Sequence, residues 1–296
     1  MSNIKTRQTY PDEIPVLQSI WEAAFGDTGK AAFFSHYYTP ELSACVECDG
    51  VPVAAGYLLA SGDLINGIKP VPSAMIYGVS TVPSHRGKGF GSAIVRELIG
   101  LARKYGYPAV VLCPSDDSLF EYYSNRSGLR DWFFIDEQRY QAPDTPESYS
   151  HVLTGISSDE YCLIREAILE GTPHLRHDTR VFEYQSMLCD ELGGGLYKYG
   201  SSCAVIERQQ DDIMLVKEIL TPFNDSFEAK IMLSAISVAF PAVDYFVRTP
   251  ASSADLLSSE SSQTGIRRFG MLYLVNGDTE NATNSDILPW YGMAFD

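Results

Sequence analysis

One stretch limits what this chain can fold into more than any other: Val79-Ser80-Thr81-Val82-Pro83-Ser84-His85-Arg86-Gly87-Lys88-Gly89-Phe90-Gly91. The apolar run before it, Ala74 to Gly78, reads as a strand, and Ser92 to Ala102 after it places apolar residues at helical spacing. The order is strand, glycine-rich turn, helix. Glycines at three alternate positions, Gly87, Gly89 and Gly91, remove every second Cβ. The backbone can then turn tightly, and the unpaired N–H groups of the helix start can face one ligand at close range. Helix starts of this kind bind phosphate. Arg86 and Lys88 add positive charge at the same place, in a chain whose formal net charge is −16, so a nucleotide-type pyrophosphate is the expected guest.

The spacing excludes two familiar phosphate loops. A dinucleotide fingerprint needs Gly-x-Gly-x-x-Gly, and a Walker loop closes on Gly-Lys-Ser/Thr; Gly87-Lys88-Gly89 supplies neither. The stretch instead resembles the acetyl-CoA signature of the GCN5-related N-acetyltransferases (GNAT), Arg/Gln-x-x-Gly-x-Gly/Ala, matched by Arg86, Gly89 and Gly91 with Pro83 upstream. That resemblance implies acetyl-CoA as acyl donor, held by Arg86, Gly87, Lys88, Gly89, Phe90 and Gly91. It also implies a gap between the signature strand and the strand near Val111, where backbone groups around Val79 and Thr81 hold the pantetheine.

The order of elements agrees with this over roughly residues 1 to 145. Tyr10-Pro11-Asp12-Glu13-Ile14-Pro15 is expected to open a helix that stops at Gly26-Asp27, a second helix to run from about Gly29 to Tyr38, and strands from Ala44 to Cys48 and Val51 to Leu59, joined by the hairpin signal Asp49-Gly50. After the signature helix come a buried-strand pattern, Ala109 to Cys113, and a helix starting at Ser118. Ala142 to Ser148 contains two prolines and reads as a linker. Beyond it a helix (Asp159 to Leu169), strands (Leu196–Tyr199, Cys203–Glu207, Ile213–Leu220), a helix (Phe227 to Phe240) and strands near Tyr245–Val247 and Met271–Leu274 repeat the first half. Val181 to Leu188 fits helix or strand, and His174 and His177 flank Arg176 in a helix or loop. A Ser-rich stretch, Ala251 to Thr264, reads as a mobile loop.

The expected fold is therefore α/β (α+β): two tandem GNAT-like domains, each a mixed central sheet flanked by helices, over residues 1–143 and 150–296. Where the first copy has its glycines, the second has Ile219-Leu220-Thr221-Pro222-Phe223-Asn224-Asp225, so the second copy is degenerate and contributes to the acceptor pocket. The arrangement resembles the tandem acetyltransferases related to the enhanced-intracellular-survival enzymes, without their third, sterol-carrier-like domain, which argues against aminoglycosides as acceptors.

Acyl transfer to an amine needs the amine deprotonated, the thioester carbonyl polarised and a proton returned to the thiolate. The family resemblance implies a tyrosine donor on the helix Leu119-Phe120-Glu121-Tyr122-Tyr123-Ser124. Tyr123 takes that role, with Tyr122 and Ser124 as the alternatives left open by one inserted residue. In the resembled tandem enzymes a terminal carboxylate acts as base, which implies that role for Asp296 at the end of the apolar run Ile287-Leu288-Pro289-Trp290-Tyr291-Gly292-Met293-Ala294-Phe295. Two readings of that run stand side by side, a catalytic arm and a hydrophobic plug.

Composition bounds the rest. Apolar residues make up 45% and charged ones 20%, which suits packed globular cores. The acidity disfavours nucleic acid and anionic membranes as partners and mildly favours a cationic acceptor, a small molecule or a peptide amine. Six scattered cysteines read as reduced thiols, and Cys45-x-x-Cys48 lacks the second pair a zinc site needs, so no metal is expected. The N-terminal residues lack the apolar core of a signal peptide, and a cytoplasmic location is expected. The oligomeric state stays open. The expected function is an acetyl-CoA-dependent N-acetyltransferase; the alternative is a noncatalytic acetyl-CoA-binding sensor or scaffold.

Overall fold

The computed structural model describes residues 3–67, 69–142, 152–253, 256–257, 265–275, 277 and 287–295. Residues 143–148 of the expected linker, most of the Ser-rich stretch and Asp296 lie outside them. The first half runs β1 (Ile4–Gln8), α1 (Ile14–Phe25), α2 (Lys30–His36), β2 (Ser43–Cys48), β3 (Val51–Ile65), β4 (Val71–Thr81), α3 (Phe90–Lys104), β5 (Ala109–Leu112), α4 (Ser118–Ser127) and β6 (Arg130–Tyr140). The second runs β7 (Thr154–Gly155), α5 (Ser158–Ile168), β8 (His174–Arg176), α6 (Thr179–Leu192), β9 (Gly195–Tyr199), β10 (Ser202–Gln210), β11 (Ile213–Leu220), α7 (Ser226–Ala239), β12 (Asp244–Pro250) and β13 (Ile266–Leu274).

Local chemistry explains several of these elements. Asp49 and Gly50 both adopt positive φ (51° and 87°), as a two-residue hairpin between β2 and β3 requires. The run 181–188, which fits helix or strand by its sequence, lies inside a helix. Asp178 accepts from the Val181 N–H at its start and Gly193 closes its end with φ 74°. The segment holding His174 is a strand rather than a helix or loop; β8 pairs antiparallel with β3, from Asp63↔Arg176 to Ile65↔His174.

The strands form one mixed sheet in the order β1-β2-β3-β4-β5-β13-β6-β12-β11-β10-β9-β7. Each half has the same kernel. In the first, β4 runs parallel to β5 over Ser73–Ile76 and Ala109–Leu112; in the second, β11 runs parallel to β12 over Ile213–Val216 and Asp244–Val247. The halves then exchange strands. The late strand β13 inserts between β5 and β6 (Met271↔Leu112, Leu272↔Arg130), while β6 pairs with β12 (Tyr245↔Tyr140). Sequence order and sheet order therefore part at the centre of the molecule: residues 266–274 complete the sheet of the first half.

Strand alternation sorts the core into layers. Tyr57 and Leu59 face a cluster shared by α1, α2, α5 and α6, whereas Leu58 faces α3 on the other side. In β10, Val205 joins the shared cluster while Ala204 and Ile206 pack under α7. Helix α3 presents Ile94, Val95, Leu98 and Ala102, all at 0% exposure, to the sheet. At about 1.5–3 kcal/mol for each fully buried large aliphatic side chain, that one face fixes the start of α3 against the end of β4.

Candidate functional site

The site begins where two strands part. The β4–β5 register ends at Ile76↔Leu112, but β4 continues to Thr81 and leaves a gap beside it. On its other edge β4 carries a bulge, with Tyr57 opposite Tyr77 but Ala55 opposite Ser80. Gly78 sits in that bulge with φ 61°, and a Cβ there would stand 3.0 Å from the rings of both Trp21 and Tyr57. Only glycine fits both demands.

Beyond Thr81 the chain makes a short 3-10 turn at Pro83–His85 and reaches the glycines. Arg86 is extended, and its Nε donates to the Thr81 carbonyl at 3.1 Å, which ties the turn to the strand it leaves. Gly87 and Gly89 have φ 77° and 79°, and Gly89 is the N-cap of α3, with no side chain capping the helix. The first-turn N–H groups therefore await an acceptor, with Arg86 and Lys88 exposed beside them and no acidic residue in that turn. Gly91 meets a steric demand instead, since a Cβ there would lie 3.4 Å from the Tyr122 hydroxyl. Phe90 points its ring into the core at 7% exposure, so its backbone N–H is what it offers a ligand.

The second half has the opposite helix start. Asp225 caps α7, its carboxylate accepting from the N–H groups of Phe227 (2.9 Å) and Glu228 (3.1 Å). A phosphate would find those donors taken and a negative charge already present.

Between the halves lies a cavity of about 360 Å³. Val79, Leu112, Cys113 and Tyr123 line it from the first half, at the strand gap. Of the three hydroxyls considered for proton return, Tyr123 alone lines it. Tyr123 is 7% exposed, and burial, with lesser contributions from Tyr122 and Asp116, pushes its pKa up to about 12. The Tyr122 hydroxyl accepts from Ser92 Oγ at 2.6 Å on α3, and Ser124 Oγ accepts from Arg130 at 3.5 Å on another face. Thr81 does not line the cavity, and its carbonyl is engaged by Arg86.

The second half supplies Leu188 and Leu192 of α6, Glu207 of β10 and Lys217 of β11. Sequence patterns had not marked these four. One signal was present: Lys217-Glu218 interrupts the apolar strand Ile213–Leu220, and a strand covered on both faces must bury both charges. Glu207 and Lys217 do pair, Oε2 to Nζ at 3.1 Å, with side chains 5% and 2% exposed.

The last wall is the C-terminal run. Its backbone is held by Trp290 N–H to Pro173 O (2.9 Å) and Leu175 N–H to Trp290 O (2.8 Å). A buried carboxylate, Glu218, accepts from Tyr161 Oη (2.8 Å), Arg165 Nε (2.9 Å) and Trp290 Nε1 (2.5 Å). Gly292 passes so close that a Cβ would lie 2.5 Å from Arg165 Nη2. Phe295 then packs edge-on against Tyr184 at 4.7 Å and lines the cavity with Tyr123. Asp296, the next residue, lies outside the described residues.

Among the described residues no cluster of three or more His, Cys, Asp or Glu side chains is arranged to hold a metal ion. Cys45 is buried and Cys48 half-buried in β2. No helix of the described residues is long and apolar enough to cross a membrane.

Residues 5–126 match the family of acetyltransferase (GNAT) domains. No curated protein matches the chain in sequence. Among solved structures, a GCN5-related N-acetyltransferase from Anabaena variabilis is similar with a TM-score of 0.71 at 16% identity, over 93% of this chain and 73% of that one. An Eis protein from Mycobacterium abscessus gives 0.62 at 14% identity, over 93% and 74% of the two chains. A tandem GNAT protein from the clavulanic acid biosynthesis pathway gives 0.56 at 14% identity, over 93% of this chain and 100% of that one. At these identities the likeness is one of fold, and it extends through both halves.

Proposed function

With a GNAT domain over residues 5–126 inside a tandem-GNAT fold, we propose that this protein transfers an acetyl group from acetyl-CoA to a primary amine of a small molecule or peptide. One observation carries the proposal: the uncapped start of α3, flanked by Arg86 and Lys88, stands at a strand gap that leads to a cavity containing a buried tyrosine. The turn at Arg86, Gly87, Lys88, Gly89, Phe90 and Gly91 takes the pyrophosphate, mainly through backbone N–H groups, and the gap beside Val79 takes the pantetheine. Residues 1–143 supply the acyl donor's site, and the degenerate copy, 150–296, closes the acceptor side with α6, β10 and β11.

In the reaction the amine attacks the thioester carbonyl, and the C–S bond breaks as the tetrahedral intermediate collapses. The amine loses one proton and the CoA thiolate gains one. Tyr123 returns the proton to sulfur; with its pKa pushed up to about 12 by burial, it stays protonated throughout the neutral range. Tyr123→Phe is expected to lower kcat about 100-fold, a general acid's share, with acetyl-CoA affinity retained. Because burial pushes the donor's pKa up to about 12, the wild-type rate should show no alkaline fall between pH 8 and 10. If Tyr122→Phe reproduces the loss and Tyr123→Phe does not, the donor is on the other side of α4.

Asp296 is proposed as the base that takes the amine's proton, since the residue before it, Phe295, already lines the cavity. Asp296→Asn should then lower kcat at least tenfold while acetyl-CoA still binds. Wild-type turnover in that variant would show that the Asp296 side chain is not the base. Release of free CoA across an amine panel tests the whole proposal, and acetyl-CoA binding without turnover on any amine would leave a sensor in its place.

A further inference from the structure

We propose that the acceptor is a monoamine with an apolar, ring-sized body, and that the buried Glu207–Lys217 pair selects it by reading a neutral hydrogen-bonding group at the end away from the reacting amine. The inference rests on the acetyltransferase function proposed above and names its substrate class.

The cavity walls set the body. Trp21, Phe25, Leu119, Leu188, Leu192 and Phe295 line it, so an acceptor dense in hydroxyl or ammonium groups would lose its hydration against apolar surface. An aromatic or branched hydrocarbon body would instead bury area on six side chains.

The charges set the ends. In a chain of net charge −16, only two described lining residues carry charge, Glu207 and Lys217, of opposite sign and paired at 3.1 Å. A polycation needs several unpaired carboxylates, and the described lining has none. The proposed base, Asp296, accounts for one amine and no more. This narrows what acidity alone suggests: the cationic acceptor favoured by net charge meets a cavity whose described charges cancel.

The pair also has a direction. Glu207 Oε2 is engaged twice, by Lys217 Nζ and by Gln185 Nε2 at 3.1 Å, and among the described residues no donor reaches Oε1. That oxygen is left to accept from a ligand. A second ammonium there would stand beside the Lys217 ammonium, and like charges this close in a water-poor cavity repel. A hydroxyl or amide N–H donates without that repulsion. The fitting shape is an arylalkylamine with one neutral donor on its ring or chain.

The test measures binding and turnover separately on the full chain. Calorimetric titrations of 2-phenylethylamine, tyramine, spermidine and kanamycin are run in the presence of CoA, and turnover is read as thiol release from acetyl-CoA. Expected is binding of the two aromatic monoamines at least tenfold tighter than spermidine or kanamycin, with tyramine, which carries a phenolic donor, ahead of 2-phenylethylamine. The double variant Glu207→Leu/Lys217→Met keeps the cavity neutral and removes the acceptor oxygen, and in it the preference for tyramine should vanish; acetyl-CoA titration checks that the variant is folded. Tighter binding of spermidine or kanamycin, or a tyramine preference that survives the double variant, overturns the proposal. Monoamine binding with no thiol release would uphold the substrate class and overturn acetyl transfer instead.

Discussion

Valine in place of Gly89 should weaken acetyl-CoA binding at least 100-fold while the domain stays folded, a result that isothermal titration reads directly. Gly89 sits at φ 79° as the N-cap of α3, and a β-branched residue in that region is strained by about 1–3 kcal/mol. The strain has a local outlet. A Cβ at Gly89 meets nothing within 4 Å, so the protein does not clash; the turn can rotate away from left-handed φ and take the first N–H groups of α3 with it. A phosphate losing two such charge-assisted bonds forfeits about 3–6 kcal/mol, at about 1.5–3 each, which exceeds a 100-fold change in affinity. Gly89 is exposed and an added Cβ meets no packed atom, so the melting temperature should move little. Native affinity in this variant would mean that the pyrophosphate lies elsewhere.

This turn could be read from sequence because everything that shapes it is local. Gly87 and Gly89 set their own dihedrals, Arg86 reaches back five residues to Thr81, and α3 announces itself by the spacing of Ile94, Leu98 and Ala102. Asp225, which shuts the equivalent helix start in the second half, is local in the same way. What was illegible depends on partners far along the chain. Nothing in Ile266–Leu274 says that it will lie between β5 and β6, since both neighbours sit more than a hundred residues away and any alternating strand suits either slot. His174–Arg176 is too short to show a period, and its strand exists because β3 and the segment at Trp290 flank it. Val181 to Leu188 fits helix or strand equally, and the capping residues outside the run decide the outcome. Glu207 looked like an ordinary polar position on a strand, and the interruption at Lys217 did not name its partner, because burial on a second sheet face is a property of the assembled layers.

Glu218 is such a residue too, and its loss should destabilise the protein more than any other change considered. Glu218→Leu keeps approximate volume but leaves the Arg165 guanidinium, itself 0% exposed, with Glu166 at 3.0 Å as its remaining ion-pair partner. Arg165 Nη2 already lacks a hydrogen-bond partner, and the Tyr161 hydroxyl and Trp290 indole N–H would join it. Breaking one side of a buried pair costs about 3–5 kcal/mol, which urea denaturation would show as a large fall in midpoint at unchanged slope. The double variant Arg165→Met/Glu218→Leu removes the stranded charge and should recover most of that stability. Its activity should not recover with it. Trp290 is joined to Glu218 by a 2.5 Å hydrogen bond, and the run from Trp290 to Phe295 is the wall that brings the chain to the cavity. A folded double variant with a loosened run separates the two roles of this carboxylate, stability and placement. Should the double variant turn over acetyl-CoA at the wild-type rate, the backbone bonds to Pro173 and Leu175 would be sufficient to seat the run, and Glu218 would serve stability alone.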